Sequence, residues 1–209
     1  ELANLIFDIG NKQGESGEVK DAEVQYFEDG RVEGYVITSP VYVNIYQKGA
    51  DVRMYFSAVL NKKPVQVGTF VKDVVNPGKH QEKGPGAGLY MTFSTEEQEA
   101  VEVKVGLSYT SIENARFNRE TEAADVTFDQ AKKNATDVWN ESLSRIYVEG
   151  GKETDKVKFY TGLFHALLGR GLASDANGYY PKNNGTVGRI ALDEEGNPVH
   201  QHYNTDAIW

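Results

Sequence analysis

Apolar and polar positions follow two different periods along this chain. Up to about residue 112 the spacing is that of strands. Leu5-Ile-Phe-Asp-Ile9 is a short apolar run closed by Gly10. Segments 21–27 and 31–38 flank Glu28-Asp-Gly30, a hairpin turn whose glycine can take positive φ. Residues 41–47 alternate Val41, Val43 and Ile45 against Tyr42, Asn44 and Tyr46, which predicts another strand. Segment 52–60 follows, and 88–94 and 99–109 bracket Thr95-Glu-Glu-Gln98, with Val101, Val103, Val105 and Leu107 on one side. Between them, residues 76–86 read as a long polar loop. Strands at this spacing, separated by turn residues, indicate an antiparallel sandwich.

The period changes after Ala123. Thr127 and Gln130 have capping-box spacing, in which each side chain satisfies the other's free backbone N–H. Ala131, Ala135, Val138, Trp139, Ser142 and Ile146 then share one face of a helix running to about Arg145. Glu149-Gly-Gly151 interrupts it. A second helix over 154–168 is expected to bury Val157, Thr161, Phe164 and Leu168, with Tyr160, Leu163 and Leu167 widening the stripe. Residues 171–209 are loop-rich. Strands first and helices second imply a mainly β domain joined to an α-helical one, not an interleaved α/β sheet. Two helices do not make a domain, so the helical part reads as a piece of something larger.

Composition narrows the function. The chain has 209 residues and a net charge of −9, which speaks against a nucleic-acid partner and an anionic membrane surface. No segment nears the roughly 18 apolar residues of a membrane-spanning helix. With no cysteine there is no disulfide framework, thiolate nucleophile or cysteine-based zinc site. The start at Glu1-Leu-Ala-Asn4 shows no leader, so a signal peptide is expected to have been removed or to lie upstream. Twelve tyrosines and nine phenylalanines suit a β core or sugar-stacking surfaces.

Phosphate-loop, Gly-x-Ser-x-Gly and His-Glu-x-x-His motifs are all missing. Asp175-Ala-Asn-Gly178 resembles part of a calcium loop but lacks the later bidentate acid; a turn in which Asp and Asn bond their own backbone is the preferred reading. His200-Gln-His202 with Asp206 is a weak zinc pattern, and a polar loop lining a cleft is preferred. Tyr179, Tyr180, Tyr203 and Trp209 stand among Asp175, Asn204 and Asp206. Sugar rings offer apolar C–H faces and hydroxyl rims, so aromatics beside carboxylates suit a carbohydrate site, although each alone fits core packing.

Several blocks together resemble glycoside hydrolase family 92: Val103-Lys-Val-Gly-Leu-Ser-Tyr-Thr-Ser-Ile-Glu-Asn-Ala115, Trp139-Asn-Glu-Ser-Leu-Ser-Arg-Ile146, Val148-Glu-Gly-Gly151, Phe159-Tyr-Thr-Gly-Leu-Phe-His165 and Tyr203-Asn-Thr-Asp-Ala-Ile-Trp209. The resemblance covers residue 100 or so to the end. It implies an exo-acting, calcium-dependent α-mannosidase of bacterial origin, exported from the cell, that removes terminal mannose from mannose-rich glycans with inversion, α-1,2 linkages being the expected ones. It also implies a β-sandwich domain (1–118), a linker with a helix (119–150) and the start of an (α/α)6 toroid (151–209). The mannose pocket would form between sandwich and toroid, with Asp175, Tyr203, Asp206 and Trp209 on its wall. By the same resemblance the general acid, the base and the calcium ligands lie beyond Trp209, and some mannose-holding sandwich residues precede Glu1. The 209-residue chain is therefore expected to be inactive alone. The competing readings are a non-catalytic carbohydrate-binding or structural sandwich module with a helical extension, and a surface interaction protein. Oligomeric state is left open.

Overall fold

A computed structural model describes residues 1–14, 17–168 and 171–204. Asp206 and Trp209, two of the four expected pocket residues, lie outside the described residues. The first nine strands are β1 (Leu2–Asp8), β2 (Glu18–Tyr26), β3 (Arg31–Ser39), β4 (Val52–Leu60), β5 (Gln66–Val71), β6 (Val74–Pro77), β7 (Gln81–Lys83), β8 (Ala87–Ser94) and β9 (Val103–Ser108). They form two antiparallel sheets in the orders β1-β8-β5-β6 and β7-β2-β3-β4-β9. Val24, Val32, Phe56 and Ala58 from one sheet meet Val67, Leu89, Met91 and Phe93 from the other to make the core. Alternate residues of each strand point into this layer, as two facing sheets require. The turn at Glu28-Asp-Gly30 forms as expected, with Gly30 at φ 91°.

Two segments depart from the strand-and-loop expectation. Residues 41–47 are not a strand: Val41–Tyr46 is the short helix α1. Pro40 starts it in extended geometry, and the Asn44 amide donates to Ser39 Oγ (2.9 Å) and Pro40 O (3.0 Å) while its oxygen takes Gly49 N–H (2.8 Å). These local bonds outweigh the period-two pattern, and Val41 and Ile45 are left exposed. The polar stretch 76–86 is partly sheet, because Gln81–Lys83 pairs with β2. Its anchor is Glu82, buried, which accepts from Thr69 Oγ1 (2.9 Å) and Lys79 Nζ (2.8 Å).

The outer face of β4 and β9 carries α2 (Ile112–Ala123), a helix with no counterpart in the hydrophobic pattern. Ser111 caps it through Asn114 N–H (3.1 Å). Its buried positions are Ala115, Asn118 and Arg119, so polar side chains occupy the face that an apolar stripe would mark. Gly106 lets it lie close: a Cβ there would stand 2.1 Å from Ala115 O. Below α2, Glu33 is 4% exposed and accepts from Arg116 Nε and Nη2 (2.8 Å each), Arg31 Nη1 (3.0 Å) and Ser57 Oγ (2.8 Å). That cluster fixes the helix to the sheet.

Two longer helices follow, α3 (Phe128–Leu143) and α4 (Glu153–Leu168). Thr127 caps α3 as expected, accepting from Gln130 N–H (3.2 Å), but the Gln130 side chain turns to Asn134, so only half of the capping box forms. The expected burial of Val157 and Leu168 is not observed: they are 58% and 53% exposed, and neither helix has a fully buried residue. The pair meets through Trp139 and Phe164, with ring centroids 4.5 Å apart. Two helices packed on each other cover one stripe apiece only along their shared line, so the wider apolar faces are not covered by the described residues. The last strands are short: β10 (Gly171–Leu172) pairs with β13 (Tyr203–Asn204), and β11 (Tyr179–Pro181) with β12 (Val187–Arg189).

Candidate functional site

The β11–β12 hairpin leans back on the sandwich. Its turn is held by Asn184, whose side-chain oxygen accepts from Thr186 N–H (3.1 Å) and Oγ1 (2.6 Å). From the sandwich side, Gln47 Nε2 donates to Asn183 O (2.7 Å) and Arg53 Nη1 to Gly185 O (3.4 Å). Between the α1–β4 connection and this hairpin runs a cleft of about 800 Å³, lined by Gln47, Arg53, Tyr55, Tyr109, Lys182 and Tyr203 among others. Its lining sets Tyr55, Tyr109 and Tyr203 among charged and amide side chains such as Arg53, Lys182 and Gln47. Such a wall can stack an apolar ring face and satisfy a rim of hydroxyls.

Several contacts set the shape of that wall. The Tyr55 ring is backed by Tyr35 at 6.1 Å. Burial, then the hydrogen bond to Asp21 (2.8 Å), pushes the Tyr35 hydroxyl up to about 12, so it stays a neutral donor. Asp51 in the cleft is paired with Lys20. At the far end Tyr180 packs on His202 with centroids 4.7 Å apart. Tyr203, expected on a pocket wall, lines this cleft and is half exposed.

Asp175 has a different place. It is 4% exposed and borders a smaller cavity beside β9, which shares Tyr109 with the cleft. One carboxylate oxygen accepts from Thr110 Oγ1 and the other from Asn118 Nδ2 (2.8 Å). Asn118 also donates to Leu107 O (2.8 Å) and accepts Ala176 N–H (2.8 Å), while Asn177 Nδ2 reaches Asn114 Oδ1 (2.8 Å). The Asp175-Ala-Asn-Gly178 loop does turn on its own backbone, through Gly178 N–H to Asp175 O (2.8 Å). Its side chains, however, bond across to Thr110 and to α2, which corrects the expected arrangement. Asp175 thus clamps the loop to the sandwich's helix.

That saturation bears on calcium. Both Asp175 oxygens are taken by neutral donors, and among the described residues no three His, Asp or Glu side chains gather as a ligand set. The described residues therefore do not fit a calcium cradle. His200 is exposed, and His202 packs on Tyr180, so the zinc pattern is not assembled by the residues described. The cleft residues Gln47, Arg53, Tyr55 and Lys182 were not legible beforehand. Only the turn-forming run Lys182-Asn-Asn-Gly185 carried a local signal, and it marks a hairpin without saying where the hairpin docks.

Comparison with known proteins agrees with this two-part layout. The model of the glycosyl hydrolase family 92 N-terminal domain matches residues 1–108, and that of the family's catalytic domain matches residues 114–209. No curated protein matches the chain in sequence. Among solved structures it is similar to the family GH92 alpha-mannosidase BT3965 from Bacteroides thetaiotaomicron, with TM-score 0.74 and 20% identity, over 89% of this chain and 24% of that one. It is similar also to the gh92 family glycosyl hydrolase ccman5, with TM-score 0.76 and 22% identity over 96% and 25%. A third is the family GH92 inverting mannosidase BT2199 from Bacteroides thetaiotaomicron VPI-5482, with TM-score 0.69 and 20% identity over 84% and 24%. At these identities the likeness is one of fold, and the chain spans about a quarter of each solved chain. With one domain model ending at residue 108 and the next beginning at 114, where β9 passes into α2, the chain belongs to glycosyl hydrolase family 92.

Proposed function

We propose that this chain is the sandwich-to-helix junction of an exo-acting, calcium-dependent α-mannosidase that hydrolyses terminal mannose from mannose-rich glycans, with α-1,2 linkages as substrate, in an exported bacterial protein. The observation that carries the reading is the tandem match of the family's two domain models, with a sugar-suited cleft at their junction. Tyr203 is proposed to meet the substrate directly, Asp206 and Trp209 to continue the same wall, and Asp175 to hold that wall in place. In an inverting hydrolysis one carboxylic acid protonates the leaving oxygen. A second carboxylate, roughly 6.5–9.5 Å away, activates water on the other face of the ring. No residue of this chain is assigned to either role. The proposed calcium is likewise given no ligand here, and no step is routed through it.

On this reading the 209-residue chain releases no mannose from an α-mannoside, whereas the parent protein does so and loses the activity to a chelator. Proton NMR of the first-formed product should show β-mannose. Mannose release by the isolated chain would overturn the division of labour. An inactive parent would instead favour a non-catalytic carbohydrate-binding module.

A further inference from the structure

The β1-β8-β5-β6 sheet turns Leu89, Met91 and Phe93 toward the core, so the alternate positions of β8 face outward. On that outer face Tyr90 of β8 stands opposite Gly68 of β5, and Phe70 of β5 opposite Gly88 of β8. A side chain on a strand ordinarily stands up from the sheet. Here each ring lies down across the neighbouring glycine, and its tip fills the place a Cβ would take. Gly68 and Gly88 are buried under this cover, although they point away from the core. Covering a glycine occupies one face of each ring. The opposite faces are open: Tyr90 and Phe70 are both partly exposed, and neither has a ring or cation partner among the described residues.

Ile6 on β1 lies beside Tyr90, and Val75 on β6 beside Phe70; they are 61% and 58% exposed. The four side chains form one diagonal apolar band over all four strands. Three strand spacings of about 4.8 Å make it about 14 Å across. Along one flank runs the row Asn4, Thr92, Gln66. Thr92 Oγ1 donates to Asn4 Oδ1 (2.8 Å), and Gln66 Nε2 to the Tyr90 hydroxyl (3.4 Å). That leaves the Asn4 N–H₂ and the Gln66 carbonyl without a partner among the described residues, and both residues are exposed. Open ring faces attract C–H groups, and a neutral donor beside a neutral acceptor matches hydroxyls, which do both. Band and flank carry no charge, in a chain of net charge −9, so an ionic ligand is disfavoured. A stable protein interface takes roughly 20–30 residues a side, far more than band and flank supply. We propose that this face is a carbohydrate-binding platform, on which a short neutral oligosaccharide stacks over Tyr90 and Phe70 and bonds to Asn4 and Gln66. None of these residues lines the junction cleft, so binding here and hydrolysis by the parent can each fail without the other.

The test is an NMR titration of the ¹⁵N-labelled chain with α-1,2-mannotriose, maltotriose and cellotriose in turn, to about 20 mM, a range that captures millimolar dissociation constants. At least one sugar should give saturable shifts at the amides of residues 4–6, 66–70 and 88–92. Tyr90→Leu keeps an apolar cover on Gly68 but removes the ring, and should weaken that binding about fivefold or more. Phe70→Leu should act likewise. Gln66→Ala, at an exposed position, tests the polar flank without uncovering either glycine and should weaken binding about threefold. Tyr203→Ala in the cleft should leave these shifts intact. The proposal is overturned if none of the three sugars moves these amides, or if none of the three platform variants weakens binding. Shifts that follow protein concentration without sugar would also overturn it, since the face would then join two copies of the chain.

Discussion

Replacing Arg116 with Met tests whether the ion cluster under α2 holds the helix on the sheet. Among the described residues Arg116 supplies two of the four side-chain bonds to Glu33, and the only one to Oε2. Without it a carboxylate that is 4% exposed keeps Arg31 and Ser57 on one oxygen and nothing on the other. Breaking a buried pair from one side costs about 3–5 kcal/mol. Arg116 is itself partly open to water, so the lower figure, about 3 kcal/mol, is expected. That is a large share of a domain's usual 5–15 kcal/mol or so. The sign with pH is also set. Desolvation pushes the Glu33 carboxyl up, but hydrogen bonds from Arg116 and Ser57 and the charges of Arg116 and Arg31 outweigh it, leaving it below the ordinary glutamate value. A depressed carboxyl contributes its full stability above the unfolded-state value of about 4.3 and loses it as pH falls through the lower folded value. Urea unfolding followed by tyrosine absorbance should therefore show the variant about 3 kcal/mol weaker at neutral pH, with the gap closing in acid. A gap under about 1 kcal/mol at neutral pH, or one that persists in acid, would refute the assignment.

Three further outcomes follow from single contacts. Gly106→Ala puts a methyl 2.1 Å from Ala115 O and 2.6 Å from Arg119 Cβ, so α2 must lift; a loss above about 2 kcal/mol is expected in the same unfolding assay. Asp175→Asn leaves one acceptor oxygen and sets its N–H₂ against either the Thr110 or the Asn118 donor. It should cost about 2 kcal/mol and speed hydrogen exchange at Ala176, whose N–H is held by Asn118. Thr127→Ala removes the cap on Gln130 N–H and should lower α3 stability by about 1 kcal/mol, read as lost helical circular dichroism with the sandwich unaffected.

What was readable in advance followed from repeating local patterns. The hairpin at Gly30, the strand over 52–60 and the cap at Thr127 each rest on residues within a few positions of one another, so their physics is local. The segment over 41–47 shows how such a reading fails, since its alternation is compatible with a strand but Pro40 and Asn44 close a helical turn first. Helix α2 was invisible because Asn118 and Arg119 fill its buried face; their partners, Leu107 O, Asp175 and Glu120, could not be inferred from spacing.

The cleft shows the same division on a larger scale. Tyr203 and the tyrosine pair at 179–180 stood out by composition, but Gln47, Arg53 and Tyr55 come to face the 182–187 hairpin only because bonds spanning 136 and 132 residues bring it there. Taken alone, the sequence determined the class change from strands to helices and the family blocks, because periodicity and motif are written within short windows. Tertiary structure alone decided that Asp175 is a clamp and that Glu33 gathers four donors beneath α2. Hydrogen-bond satisfaction depends on which distant groups share a buried volume, and no local pattern encodes that.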